Sequence, residues 1–283
     1  MLLIGPTALS HLHPAVLGVL GATTVLAVVL LVVALRGHRG RSRWRTAGLA
    51  VAAAITLVVS LASAWLRPMP ATDTTVADGA VLDVRASTLV LTPAEGAART
   101  GLVFQPGASV DPYAYLPMLS RVAAAGYEVV IIRQPLELGF MSITKPERVI
   151  AQHPEATTWA VGGHSLGGVV ASEAALEDDG VDGLVLWASY PAGDLSHRDA
   201  LRVTSITGSL DGLSTPAKIA AHTGMLPADT TYVVVEGGIH SYFGDYGHQR
   251  GDGEASVDRA TAQDEIVGAT VDALDGLADD RAS

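Results

Sequence analysis

"TWAVGGHSLGGVVAS" occupies residues 158–172, and its reading decides the fold. An apolar, strand-forming start runs into the pentapeptide Gly163-His164-Ser165-Leu166-Gly167, and a small-residue helical pattern follows. Strand, sharp turn and helix is the setting in which a G-x-S-x-G serine projects its hydroxyl above a sheet. The glycines leave room for a strained turn and for close approach of helix to strand. In a chain with 30 glycines among 283 residues the pentapeptide alone is weak, and a plain glycine-rich turn is the alternative. The surrounding pattern therefore has to carry the argument.

Outward from this stretch, apolar β-rich runs recur at Ala80–Val84, Thr88–Leu91, Leu102–Phe104, Glu128–Ile132, Thr158–Val161, Gly183–Trp187, Leu201–Ile206 and Thr231–Val235. Several are continuous rather than alternating, as expected of strands buried on both faces of a parallel sheet. Helical patterns lie between the later runs. Asp111-Pro112 is a cap and first-turn pair for a helix ending at Gly126. "PERVIAQH" from Pro146, "LGGVVASEAALED" from Leu166, "TPAKIAAHTG" from Thr215 and a long segment from about Ser256 are further helices, with the tail "ADDRAS" expected to fray. Strands alternating with helices predict a doubly wound, mostly parallel α/β sheet over residues 79–283, with its ligand site outside the carboxyl ends of the strands.

A serine hydroxyl is a weak nucleophile and needs a base within hydrogen-bond reach, oriented by a carboxylate. On this sheet type the chain order is serine, acid, histidine. Asp211 follows one strand end and His240 follows the last, so Ser165, Asp211 and His240 are the expected catalytic residues. Asp194, after the strand ending near Tyr190, is the rival acid; Glu236 and Asp245 sit so near His240 in sequence that they read as loop or surface charges. His164 inside the turn is expected to pack beside Ser165, and His197 precedes Asp211, against the expected order. His153, His222 and His248 read as ordinary, partly exposed histidines. An oxyanion site needs main-chain donors: the Leu166 amide is one, and Gly107 or Ala108, in the loop "QPGASVDP", is the other. Met141, Tyr242 and Phe243 are expected either to wall the substrate site or to pack in the core. His240 and His248 lack metal-ligand spacing and no G-x-G-x-x-G opens a strand–helix unit, so neither a metal nor another cofactor is expected.

The first 66 residues differ in kind. Residues 15–35 and 46–66 carry no charge, and each run has about the ~20 residues a helix needs to cross hydrocarbon. Between them "RGHRGRSRWR" holds five arginines and no acid, and such short basic loops stay cytoplasmic. The expectation is a two-helix transmembrane hairpin over residues 1–66, a linker over 67–78, and a hydrolytic domain outside the plasma membrane. His11, His13 and His38 fall in this part. All 29 acidic residues follow Leu66, against 13 basic ones there, which argues against nucleic acid or an anionic membrane as a partner of the outer domain. With no cysteine the chain has no disulfide, thiolate metal site, lipid-modified cysteine anchor or cysteine nucleophile.

The stretches "GLVFQPGASVDPYAYLPMLSRVAAAGYEVVIIRQPL", "WAVGGHSLGGVVAS", "DGLVLWASYPAGDLS", "SITGSLDGLSTPAKI" and "VVEGGIHSYFGDYGHQRGDGEAS" together resemble the alpha/beta-hydrolase superfamily, more narrowly the bacterial group often labelled alpha/beta-hydrolase fold-5. The resemblance covers roughly residues 101–273 and implies the same Ser165, Asp211 and His240 triad. Relatives often have two glycines where this chain has Gly107-Ala108, which leaves the second oxyanion donor open. The fold hosts esterases, lipases, thioesterases, peptidases and non-enzymes, so it names no substrate. The expectation is a membrane-anchored serine hydrolase of carboxylic esters, acting through an acyl-enzyme. About ten residues separate Tyr190 from Leu201, too few for a cap domain. The competing class is a non-catalytic, membrane-tethered binding or scaffold protein on the same fold.

Overall fold

The computed structural model of the protein describes residues 18, 21–26, 28–30, 33, 48–49, 51–59, 68–133 and 145–282. Met1–Pro68 and Met69–Ser283 are two compact units. In the first, the described positions before Pro68 are helical, and Val25, Val28, Val51, Ile55 and Val58 are exposed. About half of each span expected at 15–35 and 46–66 lies outside the described residues. Among those described, no helix is long and apolar enough to cross a membrane.

In the second unit the described residues form one eight-stranded sheet: β1 (Ala80–Val84), β2 (Thr88–Pro93), β3 (Thr100–Gln105), β4 (Glu128–Ile132), β5 (Thr158–His164), β6 (Gly183–Trp187), β7 (Arg202–Gly208) and β8 (Thr231–Val235). Their order is β1-β2-β4-β3-β5-β6-β7-β8. β2 runs against both of its neighbours, and every pair from β4 to β8 is parallel. Helices α1 (Leu116–Ala124), α2 (Lys145–Gln152), α3 (Leu166–Glu177), α4 (Pro216–His222) and α5 (Arg259–Ala282) connect or follow the strands. Helix α5 runs on to Ala282 and takes in most of the tail that composition alone marks as frayed.

Period-two alternation sends neighbouring strand residues into two cores. Leu102, Phe104, Val129, Ile131, Val185 and Trp187 pack with α1 and α5 on one face. Val103, Val130, Ile132, Leu184 and Leu186 pack with α2 and α3 on the other. Each large apolar side chain so buried contributes about 1.5–3 kcal/mol, and because both faces are covered, the central strands read as unbroken apolar runs. Edge strand β8 departs from this: Tyr232 and Val234 remain exposed, and α4 buries none of its residues.

The stretch 67–78 is not a free linker from Met69 onward. Met69 pairs with Val110, and Ala71 with Tyr246. The Met69 amide donates to Ser109 O at 2.6 Å and the Thr72 amide to Asp245 O at 2.8 Å. Met69, Ala71 and Val76 pack on the core. Apolar side chains and unpaired strand-like backbone find partners there, which Pro68 and Pro70 do not reveal.

Candidate active site

Because β5, β7 and β8 run parallel, their carboxyl ends lie on one edge of the sheet, and Ser165, Asp211 and His240 follow these three ends. Ser165 stands at the first position before α3 with φ 53° and ψ −124°. A left-handed backbone at a residue with a side chain costs on the order of 1–3 kcal/mol and persists only where its surroundings impose it. Here they do. A Cβ on Gly163 would lie 2.4 Å from the Gly167 carbonyl carbon, and one on Gly167 would lie 2.0 Å from Gln105 O. The end of β3 and the start of α3 thus touch through backbone alone. The elbow is tied down by Ser165 N donating to Trp187 O (2.9 Å) and by the Ser189 hydroxyl donating to Ser165 O (2.6 Å). A serine before a helix ordinarily caps it, yet the Ser165 side chain makes no capping bond, and the residue is partly exposed.

Asp211 and His240 meet. Asp211 Oδ2 lies 2.8 Å from His240 Nδ1, both side chains wholly buried. The other oxygen, Oδ1, accepts the amides of Leu213 and Ser214, each at 2.7 Å. With Oδ1 occupied, Oδ2 is left for the imidazole, whose Nδ1 donates and whose Nε2 is then the basic nitrogen. No described residue is hydrogen-bonded to that Nε2, so contact with the Ser165 hydroxyl is not made in this arrangement.

Two further groups hold the histidine loop, and sequence reasoning did not find them. Asp252 accepts the amides of His240 (3.0 Å) and Ser241 (2.8 Å), and that of Gly212 (3.3 Å) beside Asp211. It thereby staples the acid-bearing loop to the base-bearing one. Burial pushes its pKa up, but hydrogen bonds from Ser241, Gly253 and His240 outweigh burial and hold the carboxyl below its ordinary value. The signal was Gly251-Asp252-Gly253, where a Cβ on Gly253 would meet Leu210 O at 1.8 Å. Arg259 is the second group: it donates to Ser241 O and Gly244 O and lies 4.5 Å from the centre of the Tyr242 ring.

The rival residues are placed elsewhere. Asp194 is a surface turn residue accepting the Ser196 amide. His164 is buried beside Ser165, stacked on Phe243 at 5.9 Å. Of the expected substrate walls, Phe243 is a core residue with no exposure, in the cluster that includes Tyr115 and Trp187, and its ring is stacked on His164. Tyr242 is half-buried under Arg259, and Met141 lies outside the described residues. The oxyanion alternatives also separate. The Gly107 amide is already spent, donating to the Tyr115 hydroxyl at 2.9 Å. Those of Ala108 and Leu166 have no hydrogen-bond partner among the described residues. Residues 188–201, between β6 and β7, hold no helix or strand. Among the described residues, no group of three His, Cys, Asp or Glu side chains is arranged to hold a metal ion.

A mostly parallel sheet, a strained serine elbow and a buried acid–histidine pair at the adjoining strand ends define an α/β protein of hydrolase type. The sequence matches the alpha/beta hydrolase family over residues 101–264, more than half its length, and the chain belongs to that family. The crystal structure of a predicted CIB-like hydrolase from Thermoplasma acidophilum is similar in fold, at 17% identity and a TM-score of 0.50, over 70% of this chain and 100% of that one. No curated protein matches the sequence.

Proposed function

We propose that the protein is a membrane-anchored serine hydrolase acting on carboxylic ester-type bonds. The observation that carries this reading is the buried Asp211–His240 pair beside the strained, uncapped Ser165. On substrate binding, Ser165 Oγ attacks the acyl carbon while His240 Nε2 takes its proton. Asp211 holds the imidazole and stabilises its charged form. The carbonyl oxygen, now negative, accepts the amides of Leu166 and Ala108. Collapse breaks the ester bond, the proton on Nε2 passes to the departing alkoxide, and the acyl group stays on Ser165. Water, deprotonated by His240, then releases the carboxylic acid. No helix or strand lies between β6 and β7, so no cap domain is inserted there to exclude substrates of modest size.

The test is a serine-reactive fluorophosphonate. Wild type labels and Ser165→Ala does not; no labelling of folded wild type refutes the enzyme and leaves the non-catalytic binding or scaffold role. The two uncharged runs flanking the arginine-rich loop support a multi-pass anchor in the plasma membrane, with the loop inside and the hydrolase domain outside. Protease added to intact cells with a permeable outer layer then digests the domain, whereas full protection reverses the orientation.

A further inference from the structure

Tyr115 and His164 form a second buried polar pair at the site, and the reaction as written uses neither. Tyr115 lies just before α1 and His164 at the end of β5, and both are essentially unexposed. The Tyr115 oxygen is 2.9 Å from the Gly107 amide nitrogen and 2.9 Å from His164 Nδ1. A Cβ on Gly107 would stand 2.8 Å from His164 Nδ1 and 3.2 Å from the Tyr115 oxygen, so only glycine lets the loop, the phenol and the imidazole meet. The His164 ring is also 4.6 Å from that of His240, centre to centre.

We propose that Tyr115 and His164 are positioning residues that select the oxyanion donor, Tyr115 drawing the Gly107 amide away from the reacting oxygen so that the Ala108 amide faces it, and His164 holding Tyr115 in place. This rests on the hydrolase reading above. The proposal requires one tautomer: the phenol oxygen accepts the Gly107 N–H, and its single hydrogen is donated to His164 Nδ1. The proton of the neutral His164 imidazole is then on Nε2. Burial, and secondarily the neighbouring His240, hold His164 well below the ordinary histidine range, against an opposing effect of the His240 backbone. A neutral His164 has a consequence for the reaction: when His240 becomes imidazolium, the ring 4.6 Å away adds no repulsion. Among the described residues the rings packed around His164 are those of Tyr115, His240, Phe243 and Tyr246, and no carboxylate acts on it to draw in a second proton.

The experiment uses the full-length protein and two readouts. The first is the rate of fluorophosphonate labelling and the kcat and KM for p-nitrophenyl acetate in wild type, Tyr115→Phe, His164→Leu and His164→Asn. Loss of a direct oxyanion donor costs about 100- to 1000-fold. Misplacing one through its support is expected to cost roughly tenfold to a hundredfold in kcat with KM unchanged. His164→Asn, whose side-chain oxygen takes the place of Nδ1 as acceptor for Tyr115, recovers most of what His164→Leu loses. The second readout is the ¹⁵N spectrum of histidine-labelled wild type, which reports protonation on Nε2 of one histidine down to pH 5. Wild-type labelling rates in Tyr115→Phe, a fall in KM-linked binding alone, or a proton on Nδ1 of His164 overturns the proposal. Failure of wild type to label refutes the hydrolase reading instead, and the ¹⁵N spectrum still tests the hydrogen-bond arrangement if Tyr115→Phe does not fold.

Discussion

Asp211→Asn separates orientation of the base from simple packing, and the outcome follows from which oxygen does what. Oδ1 of Asp211 accepts two amides, from Leu213 and Ser214, so the asparagine must present its carbonyl oxygen there. The alternative would set an NH2 against two N–H groups. Its NH2 then occupies the Oδ2 position, 2.8 Å from His240 Nδ1, and donates to that nitrogen. His240 is forced to carry its proton on Nε2, which can no longer accept one from Ser165. In an unrelated serine protease the corresponding wrong-tautomer substitution lowers kcat about 10⁴-fold, equivalent to about 5 kcal/mol at 1.36 kcal/mol per tenfold, and the same order is expected here. The loop keeps its two amide bonds, so the melting temperature should fall by less than about 5 °C. The assay is p-nitrophenyl acetate hydrolysis beside thermal unfolding. A loss of less than tenfold in kcat, with folding intact, would refute the assignment of Asp211 as the residue that sets the tautomer.

Ser165→Gly should abolish fluorophosphonate labelling while stabilising the domain by about 1 kcal/mol, since glycine adopts φ 53° without strain and loses part of that gain to chain entropy; a lower melting temperature would show that the elbow is not strained. Gly167→Ala should cost at least about 3 kcal/mol, because its Cβ meets Gln105 O at 2.0 Å and Pro106 O at 2.5 Å, both backbone. Near-native stability in urea titration would contradict that packing. For Asp252 the folded carboxyl is held below its ordinary value, so its contribution is present above the unfolded value near 3.8 and is lost as pH falls through the lower folded value. Melting curves of wild type and Asp252→Asn from pH 6 to pH 2.5 should converge at the acid end; a constant gap would exclude the carboxylate as the source. At pH 7 the same variant should lower kcat more than it raises KM, since the asparagine NH2 opposes an amide of the His240 loop.

Much of the fold was legible because the elements carry local signals. The central runs at 128–132 and 183–187 coincide with β4 and β6, since residues buried on both faces leave an unbroken apolar string. Ends were less legible: β5 continues three residues past Val161 to His164, because Gly162, Gly163 and His164 keep pairing with Val185, Leu186 and Trp187 on β6. Nothing in the composition of 67–78 distinguishes a linker from a strap, and Met69 is docked only because Ser109 and Asp111 stand opposite it. Phe243 sits among aromatic loop residues in the sequence, yet lies in the core because the fold brings it into the cluster of Tyr115, Trp187 and Tyr246, stacked on His164.

By itself the sequence determined the elbow, since the spacing of Gly163, Ser165 and Gly167 answers a steric demand confined to one turn, and it determined which strand ends carry Asp211 and His240. Tertiary structure alone decided that Oδ2 of Asp211 faces the imidazole, that Asp252 binds the two loops together, and that Gly107 surrenders its amide to Tyr115. The first two are hydrogen bonds between groups far apart along the chain, and the third joins nearer residues but is set by His164 from another strand. Their geometry depends on the order in which strands lie side by side and on the path of each loop, which no local pattern of side chains encodes.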